Sequence, residues 1–146
     1  MSLKDRLYAD FKEAMKAHDK VRKDTISMVR AAVRQYEIDH HTELDDDGII
    51  GILTKQVKER KDALSDFEKA GRTDLIESYA GEIRVLEVYL PEPFTEDELR
   101  QIVLDTKAEL GVEDKSGMGK LMGAVMPKVK GRADGGDVKN IVLSVL

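Results

Sequence analysis

The chain has 146 residues, of which 41% are apolar, so it can build the core of one ordinary domain or of two small ones. It contains no cysteine, which excludes disulfides, a thiolate nucleophile and cysteine-ligated zinc, and its net charge of −5 excludes a uniformly basic coat for nucleic acid. No signal-peptide pattern or membrane-length apolar run is present. These features predict a cytoplasmic protein that does not enter a membrane.

Apolar residues recur at helical spacing along the first part of the chain. Ser2 is expected to cap the first helix, and residues 17–20 are expected to separate it from the second. Gly71 predicts the end of a long third helix. The apolar stripe of that third helix is interrupted at Arg60 or Lys61. A cation there either reaches water along its aliphatic stem or pairs with a carboxylate.

Thr73 is expected to cap a fourth helix, which should end before two prolines, Pro91 and Pro93. Because proline interrupts helical hydrogen bonding, the prolines also predict a domain boundary. The four helices should form a bundle-like domain over residues 1–92, a common size for a domain.

The remaining residues, 93–146, predict a small three-helix domain. Thr95 and Glu98 have the spacing of a capping box, and Gly111 is a suitable helix end. Pro127 marks a kink or an approaching end in the next helix, and Asp134 is placed to cap the last one. No segment shows sustained period-two alternation, so the fold class predicted for the whole chain is all-α.

Residues that could support catalysis or bind metal do not form a recognisable motif. The chain lacks H-E-x-x-H, G-x-S-x-G and the phosphate-loop pattern. A loop containing His40, His41, Glu43 and Asp45–Asp47 could gather round a divalent ion, although solvated and helix-capping side chains are the ordinary use of such residues. We therefore predict no catalytic residue, no metal site and no cofactor.

Charge is distributed unevenly near the carboxyl end of the chain. Residues 91–114 carry two basic and eight acidic side chains, whereas residues 115–146 carry six basic and two acidic ones. A glycine-containing turn between two helices holds several of these cations beside a helix N-terminus, an arrangement that attracts phosphate. The predicted nucleic-acid-binding residues are Lys120, Lys128, Lys130, Arg132 and Lys139. Phe94 is the last aromatic residue, so the expected contacts are to phosphates and to shape.

Three segments of the sequence are distinctive when taken together. They are GKLMGAVMPKVKGRADGGDVKNIV, residues 119–142; KQVKERKDALSDFEKAGRTDL, residues 55–75; and YLPEPFTEDEL, residues 89–99. Together these segments resemble the GatB/YqeY family. The resemblance implies a free-standing relative of the helical tail that the GatB subunit of glutamine-dependent tRNA amidotransferase uses to touch tRNA. It supplies no activity for the free-standing form.

Three functional hypotheses follow from the residues and the resemblance. The first is a non-catalytic, tRNA-associated protein linked to carbon–nitrogen ligase activity with glutamine as amide donor. The second is a protein that assists an amidotransferase in trans. The third is a protein-interaction module without nucleic-acid contact, whose docking face is the acidic segment 91–114.

Overall fold

The computed structural model describes all 146 residues as seven α-helices and one short 3₁₀ turn, with no strand. The predicted all-α class is therefore confirmed. The helices are α1 (Leu3–Lys16), α2 (Lys20–His40), α3 (Asp46–Ala70), α4 (Thr73–Glu87), α5 (Glu96–Leu110), α6 (Met118–Val129) and α7 (Gly135–Val145), and the 3₁₀ turn is Lys115–Gly117.

Contacts between residues divide the chain into two compact units, Met1–Leu90 and Pro91–Leu146. We call them unit 1, which holds α1–α4, and unit 2, which holds α5–α7. The sequence placed a domain boundary two residues later, at 92/93. Independent folding of the two parts stays a prediction.

Side chains at the helix ends explain most of the element boundaries. Ser2 accepts a hydrogen bond from the backbone N–H of Asp5 at the start of α1, and Thr95 and Glu98 form the predicted capping box at the start of α5. Gly71 ends α3 in the left-handed region, with φ of 69°, a conformation that costs glycine little. The cap expected from Thr73 is not formed, because α4 begins one residue earlier and Arg72 occupies the N-cap position.

Unit 1 is built around one apolar core to which all four helices contribute. Fully buried members include Leu7 of α1, Ile26 of α2, Leu53 of α3 and Leu86 of α4. Arg60 of α3 is 93% buried, and its guanidinium lies 3.7 Å from the carboxylate of Glu82. The cation in the α3 stripe is thus Arg60, and it pairs with a carboxylate.

Unit 2 has a separate core made by α5, α6 and α7. Val103, Leu121 and Val142 are completely buried in it. Pro127 lies inside α6, which continues to Val129 before it ends. The proline therefore does not terminate the helix at once, and the helix continues for two more residues, of which Val129 is completely buried.

Candidate functional site

Two of the five cations that the sequence singled out, Lys130 and Arg132, lie between α6 and α7, and Lys128 lies beside them in the last turn of α6; Lys120 and Lys139 lie within α6 and α7. We call residues 128–134 the α6–α7 turn. Its backbone reverses at Gly131, where φ is 77°, and Asp134 occupies the N-cap position of α7. The Asp134 side chain accepts no hydrogen bond from the first turn of that helix. The backbone thus has the predicted helix–turn–helix form, although the aspartate does not make the expected capping bond.

Lys128 and Arg132 are occupied by contacts within unit 2. The ammonium of Lys128 donates to the hydroxyl of Thr106 at 2.9 Å and lies 3.1 Å from the carboxylate of Glu109. The Arg132 guanidinium donates to the carbonyl of Glu92 at 2.7 Å and lies 3.7 Å from the ring centroid of Phe94. These two cations hold α5, the turn and the segment before α5 together.

Lys120, Lys130 and Lys139 are exposed and make no ion pair. Lys120 and Lys130 lie near opposite ends of α6, and ten residues of helix separate them by roughly 15 Å along the axis. The structure therefore does not gather the five predicted residues around one phosphate-sized point. Their role towards an anionic partner stays a prediction.

A second group of cations, which the sequence did not single out, lies in unit 1. A groove of about 260 Å³ runs between α1 and α2 and is closed by the start of α3. We call it the α1–α2 groove. The residues that line it are Lys4, Asp5, Leu7, Tyr8, Arg30, Val33, Arg34, Glu37 and Ile49.

Arg30 and Arg34 are the distinctive residues of the α1–α2 groove. The Arg30 guanidinium carbon lies 4.7 Å from the ring centroid of Tyr8 and 5.1 Å from that of Phe11, while the Lys12 ammonium lies 4.5 Å from the Tyr8 centroid. Arg34 follows one helical turn later and is exposed. Neither arginine forms an ion pair in the structure. The sequence signal is an i, i+4 arginine pair on α2, which is easily overlooked in a chain where 36% of residues are charged.

At the opposite end of this groove the acidic side chain of Glu37 is paired with Lys4. Glu37 accepts hydrogen bonds from the Lys4 ammonium at 2.6 Å and from the backbone N–H of Leu44 at 2.8 Å. The hydrogen bond from Lys4 is the largest of the causes that lower the pKa of Glu37, followed by the hydrogen bond from Leu44. Glu37 therefore remains a carboxylate near neutral pH, but its charge is already matched by Lys4.

Polar residues in and beside the loop after α2 make hydrogen bonds and stacking contacts within unit 1. Asp45 caps α3 by accepting from the backbone N–H of Gly48, and Asp46 accepts from the backbone N–H of Leu3. The His40 ring stacks on Tyr36 with centroids 3.9 Å apart. No three His, Asp or Glu side chains of the chain come together in a way that could hold a metal ion.

A buried polar network joins the end of unit 1 to α1. The hydroxyl of Tyr89 donates to the carboxylate of Asp10, which also lies 3.6 Å from the Arg22 guanidinium. Burial, followed by the hydrogen bond to Asp10, raises the pKa of Tyr89 above its ordinary range. The phenol therefore stays protonated and acts as a hydrogen-bond donor that fixes the segment after α4 onto α1.

No helix of the structure combines the length and the apolar character needed to span a bilayer. Comparison with known proteins gives one family, since a model described as "Yqey-like protein" matches residues 4–146.

Several curated relatives carry the name "Altered inheritance of mitochondria protein 41, mitochondrial". The one from Kluyveromyces lactis is 35% identical over 129 residues, which cover 83% of this chain and 70% of the relative. The one from Pyrenophora tritici-repentis is 32% identical over 129 residues, covering 88% and 71%. The one from Vanderwaltozyma polyspora is 33% identical over 110 residues, covering 74% and 57%.

These relatives overturn two predictions made from the sequence. The tRNA-associated role linked to amidotransferase is contradicted, because the relatives are named for mitochondrial inheritance, and the alternative of a protein-interaction module gains no support. The cytoplasmic location is contradicted by the same names. The segments that revealed the family are helix and turn sequences, which specify a fold rather than a partner. Composition, likewise, does not distinguish between compartments.

Proposed function

Because the chain belongs to the YqeY-like family, we propose that it performs the molecular task of its mitochondrial relatives and acts in mitochondria. The observation that carries this proposal is the extent of the family match, which covers residues 4–146 and so includes both helical units. The relatives' names connect them with altered inheritance of mitochondria, and that is the process in which we place this chain.

We further propose that unit 1 and unit 2 are separate domains, one of four helices and one of three. Each has its own set of completely buried apolar side chains, with Leu53 in the first and Leu121 in the second. The chain between α4 and α5 contains two prolines, which prevents one continuous helix from joining the units. Both domains are required for the proposed task.

The test is replacement of the relative in Kluyveromyces lactis. Cells lacking that relative receive this chain behind a mitochondrial leader, and the fraction of daughter cells that inherit mitochondria is counted. The relative itself serves as the positive control, and the chain without the leader shows whether location matters. We expect the leader-bearing chain to restore inheritance and the leaderless chain to fail.

Two full-length variants test the requirement for both units. Leu53→Asp and Leu121→Asp each place a carboxylate at a completely buried site, so each disrupts one unit. Both are expected to lose the restoring activity. A chain that accumulates folded in mitochondria and yet leaves inheritance defective would refute the proposed function. Restoration by either variant would limit the function to the other unit.

A further inference from the structure

We propose that the α1–α2 groove binds a soluble phosphate monoester whose phosphate meets Arg30 and Arg34 and whose small apolar body lies on the groove floor. Nothing in the family match or in the relatives' names specifies such a ligand. The inference rests on the groove itself and is independent of the cellular role proposed above.

Arg30 and Arg34 are available to bind an anion because neither forms an ion pair. Elsewhere in the chain, buried or half-buried arginines already have acceptors: Arg60 pairs with Glu82, and Arg132 donates to the carbonyl of Glu92. The Arg30 guanidinium lies over the rings of both Tyr8 and Phe11, contacts that favour its position without using its N–H donors. Its donors are therefore still able to bind an anion.

The spacing of the arginines favours phosphate over carboxylate. Residues one helical turn apart have Cβ atoms about 5–6 Å from each other, so Arg30 and Arg34 can approach one group together. A single guanidinium satisfies both oxygens of a carboxylate, whereas a phosphate monoester offers three terminal oxygens and up to two negative charges. Lys12 does not line the groove, but its ammonium lies 4.5 Å from the Tyr8 ring centroid and adds positive charge nearby.

The shape of the groove limits the rest of the ligand. Leu7, Val33 and Ile49 line the groove and are nearly completely buried, which gives an apolar floor, and the Tyr8 ring is 48% exposed beside them. The volume of about 260 Å³ lies below the usual range for drug-sized ligands, so the body must be small. Of the two carboxylates in the groove, Glu37 is neutralised by Lys4, which leaves Asp5 as the only opposing charge.

The experiment titrates the ¹⁵N-labelled full chain with phenyl phosphate and follows the backbone amide signals of α1 and α2. Two partial ligands are titrated separately: benzoate, which has the ring but a carboxylate in place of the phosphate, and inorganic phosphate, which lacks the ring. Binding of phosphatidic acid in phosphatidylcholine vesicles is measured by co-sedimentation. We expect saturable shifts in α1 and α2 with phenyl phosphate, at least about fivefold weaker binding of each partial ligand, and no co-sedimentation.

Variants assign the binding to the arginines. Arg34 makes no ion pair or hydrogen bond, so Arg34→Gln should fold normally and weaken phenyl phosphate binding by about five- to tenfold. The double variant Arg30→Gln/Arg34→Gln should show no saturation. The control is Arg72→Gln/Arg84→Gln, which removes two exposed arginines from α4 and its N-cap; Arg72 pairs with Asp74 at the surface, and Arg84 forms no ion pair. The control should bind within about twofold of the parent.

Several results would overturn this inference. Absence of shifts in α1 and α2, or unchanged affinity of Arg34→Gln, would show that the groove is not the site. If benzoate bound as tightly as phenyl phosphate, the groove would have no preference for phosphate. If inorganic phosphate bound as tightly, the apolar part of the ligand would contribute nothing to binding. Co-sedimentation with vesicles without binding of phenyl phosphate would identify a membrane lipid as the phosphate source instead.

Discussion

The α1–α2 groove of unit 1 and the α6–α7 turn of unit 2 both contain several cations, but the two sets differ in whether they are paired with acceptors of the same unit. In the turn, Lys128 and Arg132 are bound to Glu109 and to the carbonyl of Glu92, so they stabilise unit 2. In the groove, Arg30 and Arg34 have no acidic partner and face a depression with an apolar floor. Of the three cations at positions 128–132, only Lys130 has no partner, whereas neither arginine of the groove has one.

Sequence separation explains the difference. The partners of Lys128 and Arg132 lie 19 and 40 residues earlier in the chain, and those distances are closed only when unit 2 folds. A local count of charges registers the cations but not the acceptors that will occupy them. Free cations must therefore be identified after the tertiary contacts are known.

The largest effect is expected from a cavity in one core, which tests whether the two regions belong to separate folding units. Leu121→Ala should lower the free energy of unfolding of unit 2 by about 2–5 kcal/mol, the usual cost of truncating a buried leucine. All four tyrosines precede residue 91, so tyrosine fluorescence reports unit 1 alone, while circular dichroism reports both units. Denaturant unfolding should shift by circular dichroism but not by fluorescence.

Leu53→Ala provides the reciprocal control, because Leu53 is equally buried in unit 1. Here the fluorescence transition should move to lower denaturant by an amount that corresponds to about 2–5 kcal/mol. Coincident shifts of both signals in both variants would mean that the chain unfolds as a single cooperative body.

Arg60 is a buried cation that pairs with Glu82 inside unit 1. Glu82→Ala should destabilise unit 1 by about 2–3 kcal/mol, somewhat less than for a fully enclosed pair, because it leaves a buried guanidinium without its carboxylate. Arg60→Met should cost far less, since the Arg60 Nε already lacks a hydrogen-bond partner and a thioether fills similar space. Tyrosine fluorescence measures both, and equal destabilisation by the two changes would argue against this account.

Arg132→Ala should destabilise unit 2 by about 1–2 kcal/mol, because it removes the hydrogen bond to the Glu92 carbonyl and the stacking on Phe94. Lys130→Ala, two residues earlier on the same turn, removes an exposed cation without a partner and should change stability by less than about 0.5 kcal/mol. Circular dichroism at 222 nm follows both variants. Similar effects of the two would show that the turn cations are interchangeable.

The helices of this protein could be predicted from local signals because those signals are themselves local. The Thr95–Glu98 capping box, the left-handed Gly71 and the break between α1 and α2 all depend on interactions within a few residues. The pattern within α3 narrowed the cation in the apolar stripe to Arg60 or Lys61 for the same reason. The choice of Arg60 and its pairing with Glu82 depend on another helix, and periodicity within α3 does not identify them.

The candidate site was harder to predict because it is formed by two helices together. Arg30 of α2 lies over the rings of Tyr8 and Phe11 of α1, a contact that no pattern within α2 indicates. The floor of the groove also includes Ile49 of α3. The local density of lysine and arginine favoured the α6–α7 turn instead. The prediction thus followed the linear clustering of charge, which does not distinguish the paired Lys128 and Arg132 from the unpaired Lys130.

The smallest expected effect concerns the acidic end of the α1–α2 groove. Hydrogen bonds from Lys4 and from the Leu44 backbone lower the pKa of Glu37 in the folded state, so ionised Glu37 stabilises unit 1 at pH values above the ordinary glutamate pKa. That contribution is lost as the pH falls through the lowered folded-state pKa. Glu37→Gln should therefore be less stable than the parent at pH 7, and the difference should shrink as the pH falls below the ordinary glutamate pKa and through the lowered one.

Denaturant unfolding of unit 1, followed by tyrosine fluorescence at pH 7, 5, 4 and 3, measures this narrowing. Glu59→Gln is the control, since Glu59 is an exposed carboxylate of the same unit that forms no ion pair. Its difference from the parent should change little across the series. If Glu37→Gln instead keeps a constant difference from pH 7 to pH 3, Glu37 is not held in its charged form by Lys4. The Lys4 cation would then be free to join Arg30 and Arg34 in attracting an anion, and the two ends of the groove would no longer differ.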